Sequence, residues 1–169
     1  VDYLPRKLLR TADDNWAFSS LTFEPEIAAP TGQAAVVGSG SGSTTYNYKI
    51  SAVNTETSEE SLPSGIASVN NDLTLAGAFN TITWSAVTGA GIYNIYKEFN
   101  GLYGFIGQTD GLTFDDQFIT PNTTILPQSD RDPFSTSDDY PAATSFIEQR
   151  LTFGASINNP QGVEMSAST

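Results

Sequence analysis

The chemistry this sequence could do rests on carboxylates. Of 169 residues, 19 are Asp or Glu, and eight of them form the pairs Asp13-Asp14, Asp115-Asp116, Asp138-Asp139 and the spaced Asp130 and Asp132. Hard cations such as calcium are held by carboxylate oxygens, so each cluster is a place to look for a cation. None of them carries the twelve-residue loop with a central glycine and a closing glutamate. Asp is also favoured in turns, where its side chain accepts from nearby backbone N–H groups. Turn-capping and solvated roles are the expectation for the acids as a whole, and Asp115 and Asp116 are the pair with the best claim to a cation. Two carboxyl groups roughly 5 to 9.5 Å apart could also hydrolyse a glycoside, but spacing along the chain singles out no such pair. The remaining candidates are aromatic. Tyr103 and Phe105, beside Asn100-Gly101, are placed where they could contact a partner, whereas Trp84 in its strand is expected to be core.

Other chemistries are closed off by what is missing. There is no His and no Cys, so the common zinc, haem, iron–sulfur and blue-copper sites lack their nitrogen and sulfur ligands. Ser-His-Asp and Cys-His nucleophile pairs are excluded for the same reason. Gly38-Ser39-Gly40-Ser41-Gly42-Ser43 is not followed by the Gly-Lys-Ser/Thr of a phosphate loop, and reads as a turn or linker. No cofactor and no catalytic set are expected. The 7 Lys and Arg leave a formal net charge of −12. Such a chain should not hold nucleic acid stably, because phosphate neutralisation needs clustered bases. No run approaches the 18 or more apolar residues of a membrane span, and the start lacks the apolar stretch of a signal peptide. With Val1 and no initiator Met, the chain reads as a piece of a longer polypeptide.

The elements that would position these side chains are strands. The chain contains 20 Thr, 18 Ser, 11 Asn and 14 Gly by count, which favours short strands and many turns over helices. Three stretches differ in character. Residues 1–30 hold Arg6, Lys7 and Arg10, then the alternating pairs Trp16/Phe18 and Leu21/Phe23, closed by Pro25 and Pro30. Residues 31–128 hold the clearest strand, in which Tyr46, Tyr48, Ile50 and Ala52 alternate with polar residues. Further strands are expected at 66–69, 81–84, 92–96, 103–106 and 113–114, with Asn100-Gly101 as a type I′ hairpin turn. Residues 129–169 open on an acidic bend. The segment 141–149 suits a helix beginning at Pro141 or one strand of a pair, and 150–156 reads as strand. The formal charge divides as −1 for residues 1–25, −7 for 26–128 and −4 for 129–169.

Two pieces of the middle stretch resemble a fibronectin type III domain. Tyr46-Asn47-Tyr48-Lys49-Ile50-Ser51-Ala52-Val53-Asn54, with Glu60-Ser61 and Ser64, is similar to that family's late strand. Thr81-Ile82-Thr83-Trp84 followed by Tyr93-Asn94-Ile95-Tyr96-Lys97 is similar to its early strands. Their order is reversed, which implies either one permuted sandwich, the preferred reading, or the end of one module abutting the start of the next. The resemblance implies an all-β, immunoglobulin-like sandwich with extended flanking segments.

The flanks resemble those around such modules in bacteriophage tail proteins of the tube or nozzle type of short-tailed phages and prophages. The matching stretches are Leu4-Pro5-Arg6-Lys7-Leu8-Leu9-Arg10 with Trp16, and Tyr140-Pro141-Ala142-Ala143, Glu148-Gln149-Arg150-Leu151-Thr152-Phe153-Gly154-Ala155 and Asn159-Pro160-Gln161. This implies a non-enzymatic virion component whose partners are other copies of itself and other tail proteins, and whose acidic surface would not trap passing DNA. The alternative is a carbohydrate- or surface-binding module of a secreted bacterial protein, with Tyr103 and Phe105 as the platform for a host-surface glycan.

Overall fold

In the computed structural model, residues 4–21, 23–129, 133–134, 136–148 and 150–165 are described, and these form strands and turns without a helix. The chain divides into two units, one comprising Pro25–Asp130 and the other Val1–Glu24 together with Arg131–Thr169. The middle module therefore begins before the boundary placed at 30/31, because Ile27 and Pro30 are already buried in it. The two flanks form a single unit.

The N-terminal flank is an antiparallel hairpin of β1 (Arg6–Ala12) and β2 (Asn15–Ser20). Next in the chain come the seven strands of the middle unit: β3 (Ala34–Ser39), β4 (Thr44–Asn54), β5 (Ala67–Asn71), β6 (Phe79–Thr83), β7 (Ala90–Phe99), β8 (Leu102–Thr109) and β9 (Thr113–Asp116). They make two antiparallel sheets, β3-β6-β9 and β5-β4-β7-β8, packed as a β-sandwich.

The alternation in β4 sets the register. Tyr48 lies opposite Lys97, Ile50 opposite Ile95 and Ala52 opposite Tyr93, so these side chains share the inner face. Ile82 and Trp84 from the other sheet, with Ile27 and Ile106, complete the core. Each fully buried Ile adds about 1.5–3 kcal/mol through apolar burial. Asn100 and Gly101 connect β7 to β8 with φ of 51° and 82°, as a two-residue type I′ turn requires.

The Gly38–Ser43 run is not a free linker. β3 extends through Gly38 and Ser39, and the next residues form a tight corner into β4. A Cβ at Gly42 would stand 2.6 Å from the Asp72 amide nitrogen, so the corner can lie against the end of β5 only with glycine there. At the opposite margin, the edge of β8 is occupied. Phe105 N donates to the carbonyls of Asn122 and Ile125, each at 3.1 Å, and Asn122 N donates back to Phe105 O at 2.8 Å. This pairing blunts an edge that would otherwise be open to another strand.

In the flanking unit, the segment that suited either a helix or a strand is a strand: β10 (Ala143–Ile147) pairs with β11 (Arg150–Gly154), which also pairs with β12 (Val163–Met165). Phe23, Phe134 and Phe153 form an edge-to-face cluster with ring centroids 5.0, 5.4 and 5.6 Å apart, which ties the N-terminal flank to the C-terminal one.

Asp139 fixes the following bend by accepting from Asn158 N at 2.7 Å. That backbone N–H is the main reason its carboxyl lies below the ordinary value of 3.8. A depressed carboxylate contributes stability that is present above its unfolded pKa and is lost as pH falls through the lower folded value. Protection of the Asn158 amide, its exchange rate taken relative to the intrinsic rate at the same pH, is therefore expected to fall on acidification below about pH 4. In the Asp139→Asn variant that pH-dependent loss of protection should be absent, and a profile unchanged from the wild type would sink this account.

Candidate functional site

The best candidate cation pair is not brought together. Neighbouring residues on a strand point to opposite faces, and Asp115 and Asp116 of β9 do so. Asp115 is exposed and accepts from Thr81 Oγ1 at 2.7 Å. Asp116 is fully buried, and its carboxylate accepts from Lys97 Nζ, from Tyr48 OH and from Ile119 N, each at 2.8 Å. The cation at Asp116 is thus the chain's own ammonium. Among the described residues no three His, Cys, Asp or Glu gather as a metal site. Asp13 pairs with Arg10, Asp138 is exposed, and Asp130 and Asp132 lie outside the described residues.

Asp116 anchors a buried polar chain that crosses between the sheets. Asn80 Nδ2 donates to Tyr48 OH at 2.9 Å, Asn71 Nδ2 to Asn80 Oδ1 at 2.9 Å, and Asn71 Nδ2 also to Ser39 O at 3.0 Å. Burial is the largest cause pushing the Tyr48 hydroxyl well above the usual tyrosine range; the hydrogen bond from Asn80 opposes the shift, and the Asp116 carboxylate adds to it. The hydroxyl therefore stays protonated and remains a donor to Asp116. Above this chain lies a groove of about 230 Å³ lined by Tyr46, Phe99, Phe118, Pro121 and the Lys97 stem, among others. Lys97 Nζ is 6.0 and 5.9 Å from the Tyr46 and Phe118 ring centres, a cation–π setting.

Tyr103 and Phe105 share the outer face of the four-stranded sheet, where cross-strand rows organise them. One row runs Ser68, Asn47, Glu98, Tyr103. Ser68 Oγ donates to Asn47 Oδ1 at 2.6 Å, and Asn47 Nδ2 to Glu98 Oε2 at 2.6 Å. The next runs Lys49, Tyr96, Phe105. Phe105 stands edge-on to Tyr96 with centroids 5.9 Å apart, and Lys49 Nζ lies 4.6 Å from the Tyr103 ring centre. Both rings are half-buried. Partial burial and the adjacent Glu98 raise the Tyr103 hydroxyl above its ordinary value. Trp84, 5% exposed and 5.3 Å from the Tyr93 ring, is a core residue.

The same face contains a hub that sequence reading missed. Glu60 Oε1 accepts from Ser51 Oγ, from Asn94 Nδ2 at 3.1 Å and from Tyr96 OH at 2.6 Å. Burial, and then Glu60 itself, push the Tyr96 hydroxyl upward. Replacing Glu60 with Ala leaves two buried hydroxyls without this acceptor and is expected to cost about 1–3 kcal/mol. Glu60→Gln keeps an acceptor oxygen and should cost less. Urea unfolding of the two variants checks this, and equal losses would remove Glu60 from the role of acceptor.

Comparison with known proteins finds no matching family model, no matching curated protein and no matching solved structure. The fold and this site define a β-sandwich in which the buried polar groups of the candidate site bond one another across strands and sheets.

Proposed function

We propose that this chain is a non-enzymatic structural component of a bacteriophage or prophage tail, with a fibronectin type III-like sandwich serving subunit assembly or surface contact. The observation that carries this reading is the insertion of the sandwich between two flanks that join through Phe23, Phe134 and Phe153. The flank stretches that resemble tail proteins thus belong to one body, and the module leaves that body and returns to it.

The strand order supports the fibronectin-like part. In immunoglobulin-like sandwiches the third and sixth strands, C and F, lie side by side. Here β4, with the late-strand motif, pairs with β7, with the early-strand motif, at the centre of one sheet. A permuted chain would reach this familiar neighbourhood by a different route, which favours the permuted reading. The carbohydrate-binding alternative has less support, since Phe105 packs on Tyr96 and Lys49 already lies against Tyr103.

The test is to prepare particles from the phage or prophage that encodes the chain and search them by mass spectrometry and antibody-labelled electron microscopy. Label on the tail supports the proposal. Particles that lack the chain sink it.

A further inference from the structure

We propose that the groove beside Lys97 is a binding site for a small neutral ligand: one apolar ring bearing an amide carbonyl that accepts a hydrogen bond from the Lys97 ammonium. The inference goes beyond the assembly reading and does not depend on it.

The groove continues the inner face of the sandwich. Tyr46 and Phe99 fall on the inward phase of β4 and β7, one step past the opposed pair Tyr48 and Lys97. β9 stops at Asp116, and the turn through Phe118 and Pro121 forms the facing wall, leaving about 230 Å³ between. That is below the roughly 300–1,000 Å³ of drug-sized sites, so the space admits a single ring. Its walls are aromatic and proline rings, which set the apolar body of the ligand.

Lys97 sets the polar end. An ammonium has three N–H donors, and among the described residues Lys97 Nζ meets one acceptor, Asp116 Oδ2 at 2.8 Å. The other two donors have only the Tyr46 and Phe118 rings, whose centres are 6.0 and 5.9 Å away, at the limit of a cation–π contact. The side chain is 5% exposed, so bulk water does little to fill them. An acceptor oxygen brought in by a ligand would satisfy a donor that is costly to leave unmade. Asp116 already neutralises the ammonium, and a second anion there would be repelled and desolvated. A neutral carbonyl is therefore favoured over a carboxylate.

Phe118 is the independent sign. It has a φ of 66°, an outlier for a bulky side chain, and its ring is 54% exposed. Glycine or asparagine would take this conformation with less strain. The turn itself is held by Ile119 N donating to Asp116 Oδ1 at 2.8 Å, which needs no ring at 118. What the ring adds is a wall of the groove, and strain retained at such a place points to binding.

Titration of benzamide into the full chain, followed by proton–nitrogen NMR, tests this. Benzamide should shift the amides of Lys97, Phe99 and Phe118 and saturate in the millimolar range. Toluene, which lacks the acceptor, and benzoate, which adds a charge, should each bind at least about fivefold more weakly. Phe118→Gly removes a wall together with its strain, so affinity should fall at least about tenfold while the urea midpoint stays near that of the wild type. Phe99→Ser removes the opposite wall and should weaken binding likewise. No saturable shift at these residues, toluene or benzoate matching benzamide, or wild-type affinity in both variants overturns the site. Shifts there that follow protein concentration instead of benzamide would assign the groove to a second copy and overturn it as well.

Discussion

Asp116→Ala is expected to destabilise the sandwich by about 3–5 kcal/mol, the usual cost of removing one partner of a buried ion pair. The magnitude follows from what remains. Lys97 is only 4% exposed, and without Asp116 its ammonium would face the Tyr46 and Phe118 rings with no anion at hand. Tyr48 would lose its acceptor, and Ile119 N would lose the Oδ1 that fixes the turn after β9. For a domain of this size the loss corresponds to a fall in Tm on the order of 15 °C.

The double variant Lys97→Met with Asp116→Leu should recover much of this. Its apolar side chains fill similar space and leave no charge buried, and such replacements are often neutral or stabilising. Urea unfolding of Lys97→Met, of Asp116→Leu and of the double closes the cycle. A double variant no more stable than Asp116→Ala would show that the pair's desolvation is not the dominant cost.

Trp84→Ala should be comparably damaging, at about 3–5 kcal/mol for truncating a buried indole. The ring packs on Tyr93 and reaches the inner face of both sheets, so no neighbour can collapse into its volume without moving a strand. Trp84→Phe should cost much less, because the buried indole N–H meets no acceptor among the described residues and its removal breaks no hydrogen bond. Unfolding followed by far-UV circular dichroism separates these outcomes. A large loss in Trp84→Phe would reveal a polar role for the indole that packing does not supply. Both variants also bear on glycan binding, since a core Trp acts on stability and leaves any sugar contact to other residues.

Local alternation carried much of the sandwich. The period-two run of Tyr46, Tyr48, Ile50 and Ala52 became β4, and Asn100-Gly101 took the two positive φ values that its composition implies. The Gly-Ser run left turn and linker both open because flexibility and close approach have the same composition, and the structure makes it a turn. What separates them is the backbone of Asp72 lying against Gly42, a contact some thirty residues away.

The Lys97–Asp116 pair was hidden for a similar reason, since its members sit 19 residues apart on strands of different sheets. A signal was nevertheless present. Lys97 falls two residues after Ile95 on the inward phase of β7, and a charge on that phase calls for a buried partner. Reading Asp115 and Asp116 as neighbours in sequence suggested one site. The pleat sent one outward to Thr81 and the other inward to Lys97.

The aromatic cluster has a kinetic consequence. Contact of Phe23 with Phe134 and Phe153 closes a loop that contains the whole sandwich. Closing so long a loop while it is disordered carries an entropy cost that grows with its length, and rates fall as contacts become less local. Once the sandwich has folded, most of the chain between Phe23 and Phe134 is already ordered, and the entropy cost of closing the loop is correspondingly smaller. During synthesis the module emerges between the two flanks, so its completion would set the moment at which the body around it can close.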